Sequence, residues 1–199
     1  MTALVLASAS PARLATLRAA GVHPSVMVSG VDESVVSGLP AAELALRLAD
    51  LKCDAVAERI TDGSLVLGCD SVLDLDGAAL GKPYDADVAV RRWKQMRGRS
   101  GVLRTGHCLR DTAAGTRAAA TASTVVHFAD LTDAEIAAYV ATGEPLQVAG
   151  AFTIDGLGGA FVTGIEGDHH NVVGLSLPLL RDLLADLGHA WTDLWDGRS

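Results

Sequence analysis

Aromatic side chains are scarce in this chain, at 4% of 199 residues, so the interior must be filled by the Ala, Leu and Val that dominate a hydrophobic content of 49%. Cysteine is scarce too. Cys53, Cys69 and Cys108 have no Cys-x-x-Cys spacing and are odd in number, which excludes a disulfide framework and a zinc finger and fits a reduced, cytoplasmic chain. No apolar run approaches the roughly 18 residues that cross a bilayer, and the first residues lack a basic stretch followed by an apolar one, so neither membrane nor export is expected. Positive charge is also in deficit: 16 Lys and Arg against 24 Asp and Glu leave a formal net charge of −8. A nucleic-acid polymer needs a basic face that this balance does not provide, whereas a small anion needs only a few focused cations.

Low-complexity linkers and internal repeats are absent as well, and the length suits one domain that buries roughly 70% of its unfolded surface. The apolar patterning alternates between strand and helix. Leu4–Leu6 reads as a buried strand, followed by a helix from about Pro11 to Ala20 that stops at Gly21, and Val26–Val28 reads as a second short strand. Ala45, Leu48, Leu51, Ala55 and Val56 mark one face of a long helix over about 40–60, which places Lys52 beside a buried stripe. Leu65-Val66-Leu67 lacks polar alternation, as a central strand would, and is expected to end at Asp70. A hairpin around Asp76-Gly77, a helix over 86–96, and paired strands over 102–109 and 118–128 follow. Thr132-Asp133-Ala134-Glu135 is a capping box opening a helix to Thr142, Phe161–Thr163 reads as a strand, and Ser176 with Pro178 opens a last helix that stops at Gly188. The expected fold is α/β: a twisted mixed sheet with flanking helices, a single domain over 1–199 in two lobes around a deep cleft. The strand-rich stretch 30–130 forms one lobe and the remainder completes the other. Apolar Trp191, Leu194 and Trp195 are left to pack either on the core or on a second subunit of a homodimer.

The candidate chemistry starts at Leu6-Ala7-Ser8-Ala9-Ser10-Pro11-Ala12-Arg13. Ser10 suits an N-cap and Pro11 the first helical position, so the unpaired amides of the first turn, Ser8 and Arg13 can together face an anion such as phosphate. The plain alternative is an ordinary capped helix with a surface arginine. Asp70, after an apolar strand, suits a cation ligand or a base acting on water, against the alternative of a turn cap. Lys52 and Lys82 are isolated cations beside apolar sequence that, with Arg13, balance a triphosphate; each taken singly also reads as a solvated surface residue. Asp32-Glu33 offers carboxylates to a hard cation. Gly156-Leu157-Gly158-Gly159 does not have the Gly-x-Gly-x-x-Gly spacing of dinucleotide sites, and Asp168-His169-His170 lacks the companion aspartate motifs of Asp-His-His metallo-phosphoesterases, so its histidines read as exposed loop residues.

Taken in order, these segments resemble the Maf family of nucleoside triphosphate pyrophosphatases over about residues 3–188. Besides the serine turn they include Val31-Asp32-Glu33, Leu48 to Lys52, Gly68-Cys69-Asp70-Ser71-Val72, Leu80-Gly81-Lys82-Pro83, Thr105-Gly106, Tyr139 to Pro145, Ala149 to Phe152, Gly156 to Gly159 and Asn171 to Leu175. The resemblance implies a fold like that of the inosine triphosphate pyrophosphatases. It also implies hydrolysis between the α- and β-phosphates of a nucleotide to a monophosphate and pyrophosphate, with a divalent cation, Mg²⁺ or Mn²⁺. Asp70 matches the family's general base. Ser8, Ser10, Arg13, Lys52 and Lys82 match its phosphate-side positions, and Glu33 with Asp70 the cation-side carboxylates. The family is also associated with arrest of septum formation, so a nucleotide-binding regulator with little turnover is the competing class.

This chain departs from the family pattern where the base is chosen. Members acting on pyrimidine triphosphates typically carry Arg, Thr and Gln where this chain has Ala12, Ser71 and Asp155, and the family's Lys-Ala-Gly is Val148-Ala149-Gly150 here. Gln offers a donor and an acceptor to the mixed edge of uracil or thymine, whereas an ionised Asp only accepts. The adjacent N1–H and N2–H₂ donors of guanine suit Asp155, and another Maf subgroup, acting on 7-methylguanosine triphosphate, has an acidic residue there. A guanine-type base is therefore expected.

Overall fold

The computed structural model describes residues 3–195. Its frame is one seven-stranded mixed sheet in the order β2-β1-β3-β5-β6-β7, with β4 paired to β3. Strand β1 (Leu4–Leu6) lies parallel both to β2 (Ser25–Val26) and to the first three residues of β3 (Leu65–Leu75). The long antiparallel strands β5 (Ser100–Asp111) and β6 (Thr116–Phe128) follow, with β7 (Val162–Glu166) at the edge, while β4 (Ala78–Leu80) returns on β3 through Asp76-Gly77. The expected α/β class, hairpins and helices are all present.

Two expected strands differ in extent. Strand β3 does not end at Asp70 but runs to Leu75, because β5 pairs with it without a break from Leu65↔Asp111 to Asp74↔Val102. Strand β2 stops at Val26 rather than Val28; Val26 and Val28 are 45% and 56% exposed, so no packing extends it.

Helix α1 (Pro11–Ala19) is capped by Ser10, whose hydroxyl accepts from the Arg13 N–H at 3.4 Å. Helix α2 (Ala41–Ala57) buries Ala41, Ala45, Leu48, Ala49, Lys52, Cys53 and Val56 on one stripe, the 3.6-residue periodicity visible in the sequence. It lies unusually close to the sheet. A Cβ on Gly68 would run into the Ala49 carbonyl and Cys53, and one on Gly106 into the backbone at Ala45. Gly106 pairs directly with Asp70, and Gly68 shares that face two residues earlier, so their missing side chains let the next turn of α2 set Lys52 over Asp70.

Helices α3 (Ala86–Met96) and α4 (Asp133–Ala141) cover one end of the sheet, α4 opening with the expected capping box at Thr132 and Glu135. Helix α5 (His169–Val173) is short, and α6 (Leu177–Asp186) is capped by Ser176. The core differs between the two ends. Around α3 and α4 it is aromatic: Trp93 meets Phe128, Tyr139 and Phe161 edge-on at ring centroids 5.6–5.9 Å apart. Under α1 and α6 it is Leu4, Leu6, Leu17, Leu67, Leu180 and Leu184, and under α2 it is Val5, Ala49, Cys53 and Val66. The line between these regions crosses β3, β5 and β6. Trp191, Leu194 and Trp195 pack on the chain's own core, and the Trp195 indole N–H donates to the Ala20 carbonyl at 3.1 Å. Cys53, Cys69 and Cys108 are buried and unpaired, and burial pushes the Cys69 thiol up to about 12. Among the described residues no helix is long and apolar enough to cross a membrane.

Candidate active site

A gap in the sheet positions the site. Strand β1 leaves β3 at Leu67 and β4 joins it only at Leu73, so the edge of β3 between them has no strand partner on that side. The turn after β1 bends away there into Ser8, Ser10 and α1. A cleft of about 560 Å³ opens at this edge, and its lining contains Ser8, Ser10, Ala12, Arg13, Glu33, Lys52, Asp70, Ser71, Lys82 and Asp155. A second recess of about 580 Å³ adjoins it, shares Glu33, Asp70, Ser71 and Lys82, and reaches Tyr84.

Alternation along β3 sends Asp70 to the α2 face and Ser71 to the α1 face. On the α2 face the buried Lys52 ammonium donates to Asp70 Oδ1 at 2.5 Å and to Glu33 Oε1 at 2.6 Å, so two carboxylates converge on one cation. Glu33 reaches in from a short 3₁₀ turn, Glu33–Val35. Asp32 accepts from the Ser34 N–H at 2.9 Å and lines only the adjoining recess, so of the expected acidic pair only Glu33 lines the cleft. Burial pushes the Asp70 carboxyl up by more than the charges of Lys52 and Arg13 pull it down, and the charge of Glu33 adds to the rise. For Glu33 burial also raises the pKa, but the Lys52 hydrogen bond and the charges of Lys52, Lys82 and Arg13 outweigh it and hold the group low. The two acids that meet on Lys52 are thus shifted in opposite directions, Glu33 down and Asp70 up.

On the other face Arg13 is 9% exposed and largely engaged within the protein. Its Nε–H donates to the Gly174 carbonyl at 2.7 Å, Nη1 to Ser8 Oγ at 3.2 Å and the Cys69 carbonyl at 2.9 Å, and Nη2 to Ser71 Oγ at 3.0 Å. Four of its five N–H groups are therefore used inside the protein, fewer being free for an anion than the sequence suggested. Ser71 also shares a 2.9 Å hydrogen bond with Thr105, whose hydroxyl reaches the Asn171 carbonyl at 3.4 Å. Lys82 is exposed in the cleft wall, and among the described residues it forms no ion pair. Asp155 is exposed and likewise without a hydrogen bond or ion pair among the described residues.

Three features of the wall were not assigned from the sequence: the Gly174 carbonyl that holds Arg13, and the Phe152-Thr153 and Val172-Val173 segments. The signal for Phe152, Val172, Val173 and Gly174 was the ordered matches at Ala149–Phe152 and Asn171–Leu175, which carry no local chemistry, and Thr153 lay outside them. Asp168-His169-His170 is not in the lining. Asp168 caps α5 through the His170 N–H at 3.0 Å, both histidines are exposed, and no group of three His, Cys, Asp or Glu side chains converges among the described residues. Two converging carboxylates, Glu33 and Asp70, are the donor type that suits a hard divalent cation.

The sequence matches the profile of the family described as Maf-like protein over residues 3–187. The chain belongs to that family. Among Maf-like relatives, the "Nucleoside triphosphate pyrophosphatase" of Streptomyces coelicolor is 65% identical, covering 96% of this chain and 94% of its own length. The protein of the same name from Salinispora tropica is 64% identical over 96% of this chain and 87% of its own. A looser likeness, with TM-score 0.46 and 15% identity over 65% of this chain and 73% of the other, is to the Staphylococcus aureus Ham1 protein. Ala12, Ser71 and Asp155 line the same cleft as Ser8, Ser10, Arg13, Glu33, Lys52, Asp70 and Lys82.

Proposed function

We propose that this protein is a nucleoside triphosphate pyrophosphatase that cleaves between the α- and β-phosphates of a guanine-type nucleotide, such as 7-methyl-GTP. The observation that carries this reading is Lys52 held between Glu33 and Asp70 at the junction of two recesses, with the serine turn alongside. The names of the close Maf-like relatives support the reaction class. Ser8, Ser10 and the first-turn amides of α1 form an anion-binding end, to which Lys52 and Lys82 add charge. Arg13 lines the same cleft, and four of its five N–H groups hold the turn, β3 and the chain after α5 in register.

Asp70 accepts a proton from a water aimed at the α-phosphorus. The oxygen–phosphorus bond forms, the bond to the bridging oxygen breaks, and pyrophosphate departs towards the cations. Burial raises the Asp70 pKa above the ordinary carboxylate value, which strengthens it as a proton acceptor. Glu33 and Asp70 would hold Mg²⁺ or Mn²⁺ together with the phosphates, and such a cation supplies neutralisation of the charge that develops on the leaving group.

At the base end, Asp155 presents an unpartnered acceptor, and Ala12 supplies no donor for a pyrimidine carbonyl. Turnover of 7-methyl-GTP, GTP, dTTP and UTP, followed with Mg²⁺ and with chelator, tests both levels. The expected result is metal-dependent pyrophosphate release, fastest with a guanine nucleotide and losing that preference in Asp155→Asn. Fastest turnover of UTP or dTTP would overturn the base assignment. Tight nucleotide binding without any turnover would overturn the enzyme reading in favour of a regulator.

A further inference from the structure

The glycine-rich segment Gly156-Leu157-Gly158-Gly159 is fastened to one carboxylate. Glu144 lies just beyond α4, and its Oε1 accepts from the Tyr139 hydroxyl at 2.9 Å, the Thr153 hydroxyl at 2.5 Å and the Gly158 N–H at 3.0 Å. Its Oε2 accepts from the Leu157 N–H at 2.9 Å. A Cβ on Gly156 would lie 2.6 Å from Glu144 Oε2, and one on Gly158 would collide with the Tyr139 hydroxyl. The carboxylate and the phenol therefore fill the space that side chains at 156 and 158 would need.

The anchor beneath this carboxylate is rigid. Tyr139 is 3% exposed, stands edge-on to Trp93 and Phe161 at centroid distances of 5.6 and 5.3 Å, and accepts from the Thr153 N–H at 3.3 Å. Burial raises the pKa of Glu144, but its hydrogen bonds from Thr153, Leu157, Gly158 and Tyr139 outweigh that and keep it an acceptor. Asp155 sits between Thr153 and Leu157, both fastened to Glu144, while its own carboxylate lines the cleft without a partner among the described residues.

We propose that Glu144 is a positioning residue that fixes the loop from Thr153 to Gly158 and so holds Asp155 at the base end of the cleft, setting which nucleobase is accepted. This rests on the assignment of Asp155 to the base end made above. A Gln at 144 keeps the Oε1 acceptor but turns an amide towards the Leu157 N–H, so it retains part of the anchor; Ala retains none.

The test compares the full-length wild type, Glu144→Gln, Glu144→Ala and Asp155→Asn. Its readouts are kcat and KM for 7-methyl-GTP, GTP and UTP, and amide hydrogen exchange across residues 153–158. In Glu144→Ala the KM for the preferred nucleotide rises about tenfold, the scale of a lost hydrogen bond or two, with kcat within about twofold and the preference among bases flattened. Exchange across 153–158 accelerates, and Glu144→Gln falls between Ala and wild type on every readout. Unchanged base preference and unchanged exchange in both Glu144 variants would overturn the proposal, as would an equal loss of kcat for all nucleotides. If Asp155→Asn leaves base preference intact while the Glu144 variants change it, the assignment of Asp155 fails and the positioning role of Glu144 stands. Should Glu144→Ala not fold, Glu144→Gln decides through the same readouts. If the wild type proves inactive, unchanged exchange in Glu144→Gln refutes the anchor and accelerated exchange upholds it.

Discussion

Individual side chains here do more than one task, and Arg13 is the clearest case. From the sequence it is a phosphate ligand at the start of a helix. In the fold its guanidinium binds Ser8 of the turn, Cys69 and Ser71 of β3 and Gly174 beyond α5, so three segments distant in sequence meet on one planar fork. Lysine keeps the charge but cannot reproduce that geometry. Arg13→Lys should therefore destabilise the protein by about 3 kcal/mol, the range for breaking a buried charged network, read as a lower urea midpoint at unchanged slope. An unchanged midpoint would mean that the network contributes little and that Arg13 serves the ligand alone.

Elements are joined at the same scale of economy by His107, a residue that nothing in the sequence singled out. Its Nε2 accepts from the Ser176 N–H at 2.9 Å, which fixes the other nitrogen, 3.0 Å from the Thr105 carbonyl, as the one bearing hydrogen. The neutral ring thus ties β5 to the start of α6, and burial pushes its pKa down to about 4 from an ordinary 6.5. Because the folded pKa lies below the unfolded one, the unfolded chain takes up a proton first as pH falls. Stability is therefore complete above about pH 6.5 and is lost as pH drops towards 4, on the order of 3 kcal/mol in full. Urea unfolding at pH 7.5 and pH 4.5 should show His107→Gln losing less stability between the two pH values than the wild type does. Equal losses would remove His107 as a cause.

The helices and hairpins were legible in the sequence because their signals are local: the cap at Ser10, the box at Thr132 and Glu135, the apolar stripe of α2. The full length of β3 was not, since it depends on uninterrupted pairing with β5, and Asp70 with Ser71 looks like a strand end when only neighbours are read. The cleft residues were recognisable as an ordered set, but their mutual contacts were not. Lys52 reaches Asp70 because Gly68 and Gly106 admit α2, a fact about close approach that no single segment encodes.

Across the whole molecule the cleft lies between an aromatic core under α3 and α4 and an aliphatic one under α1, α2 and α6, and it draws its lining from the chain around both. A ligand in it therefore bridges both regions. A slowly hydrolysed guanine nucleotide with Mg²⁺ at about 100 times its Kd should stabilise the fold by about 2.7 kcal/mol, or ~5–10 °C in Tm for a chain of this size. Chelation should remove most of that shift, and a shift indifferent to metal would argue against Glu33 and Asp70 as cation ligands.

The central claim is that Asp70 drives water onto the α-phosphorus of a nucleoside triphosphate. Quantifying products from GTP or 7-methyl-GTP with Mg²⁺, for the wild type and Asp70→Asn, tests it most directly. The account predicts monophosphate and pyrophosphate in equal amounts from the wild type, and a rate at least about 100-fold lower in Asp70→Asn, within the range for removing a general base, while nucleotide binding persists. Diphosphate and inorganic phosphate as products, or a variant as fast as the wild type, would contradict it.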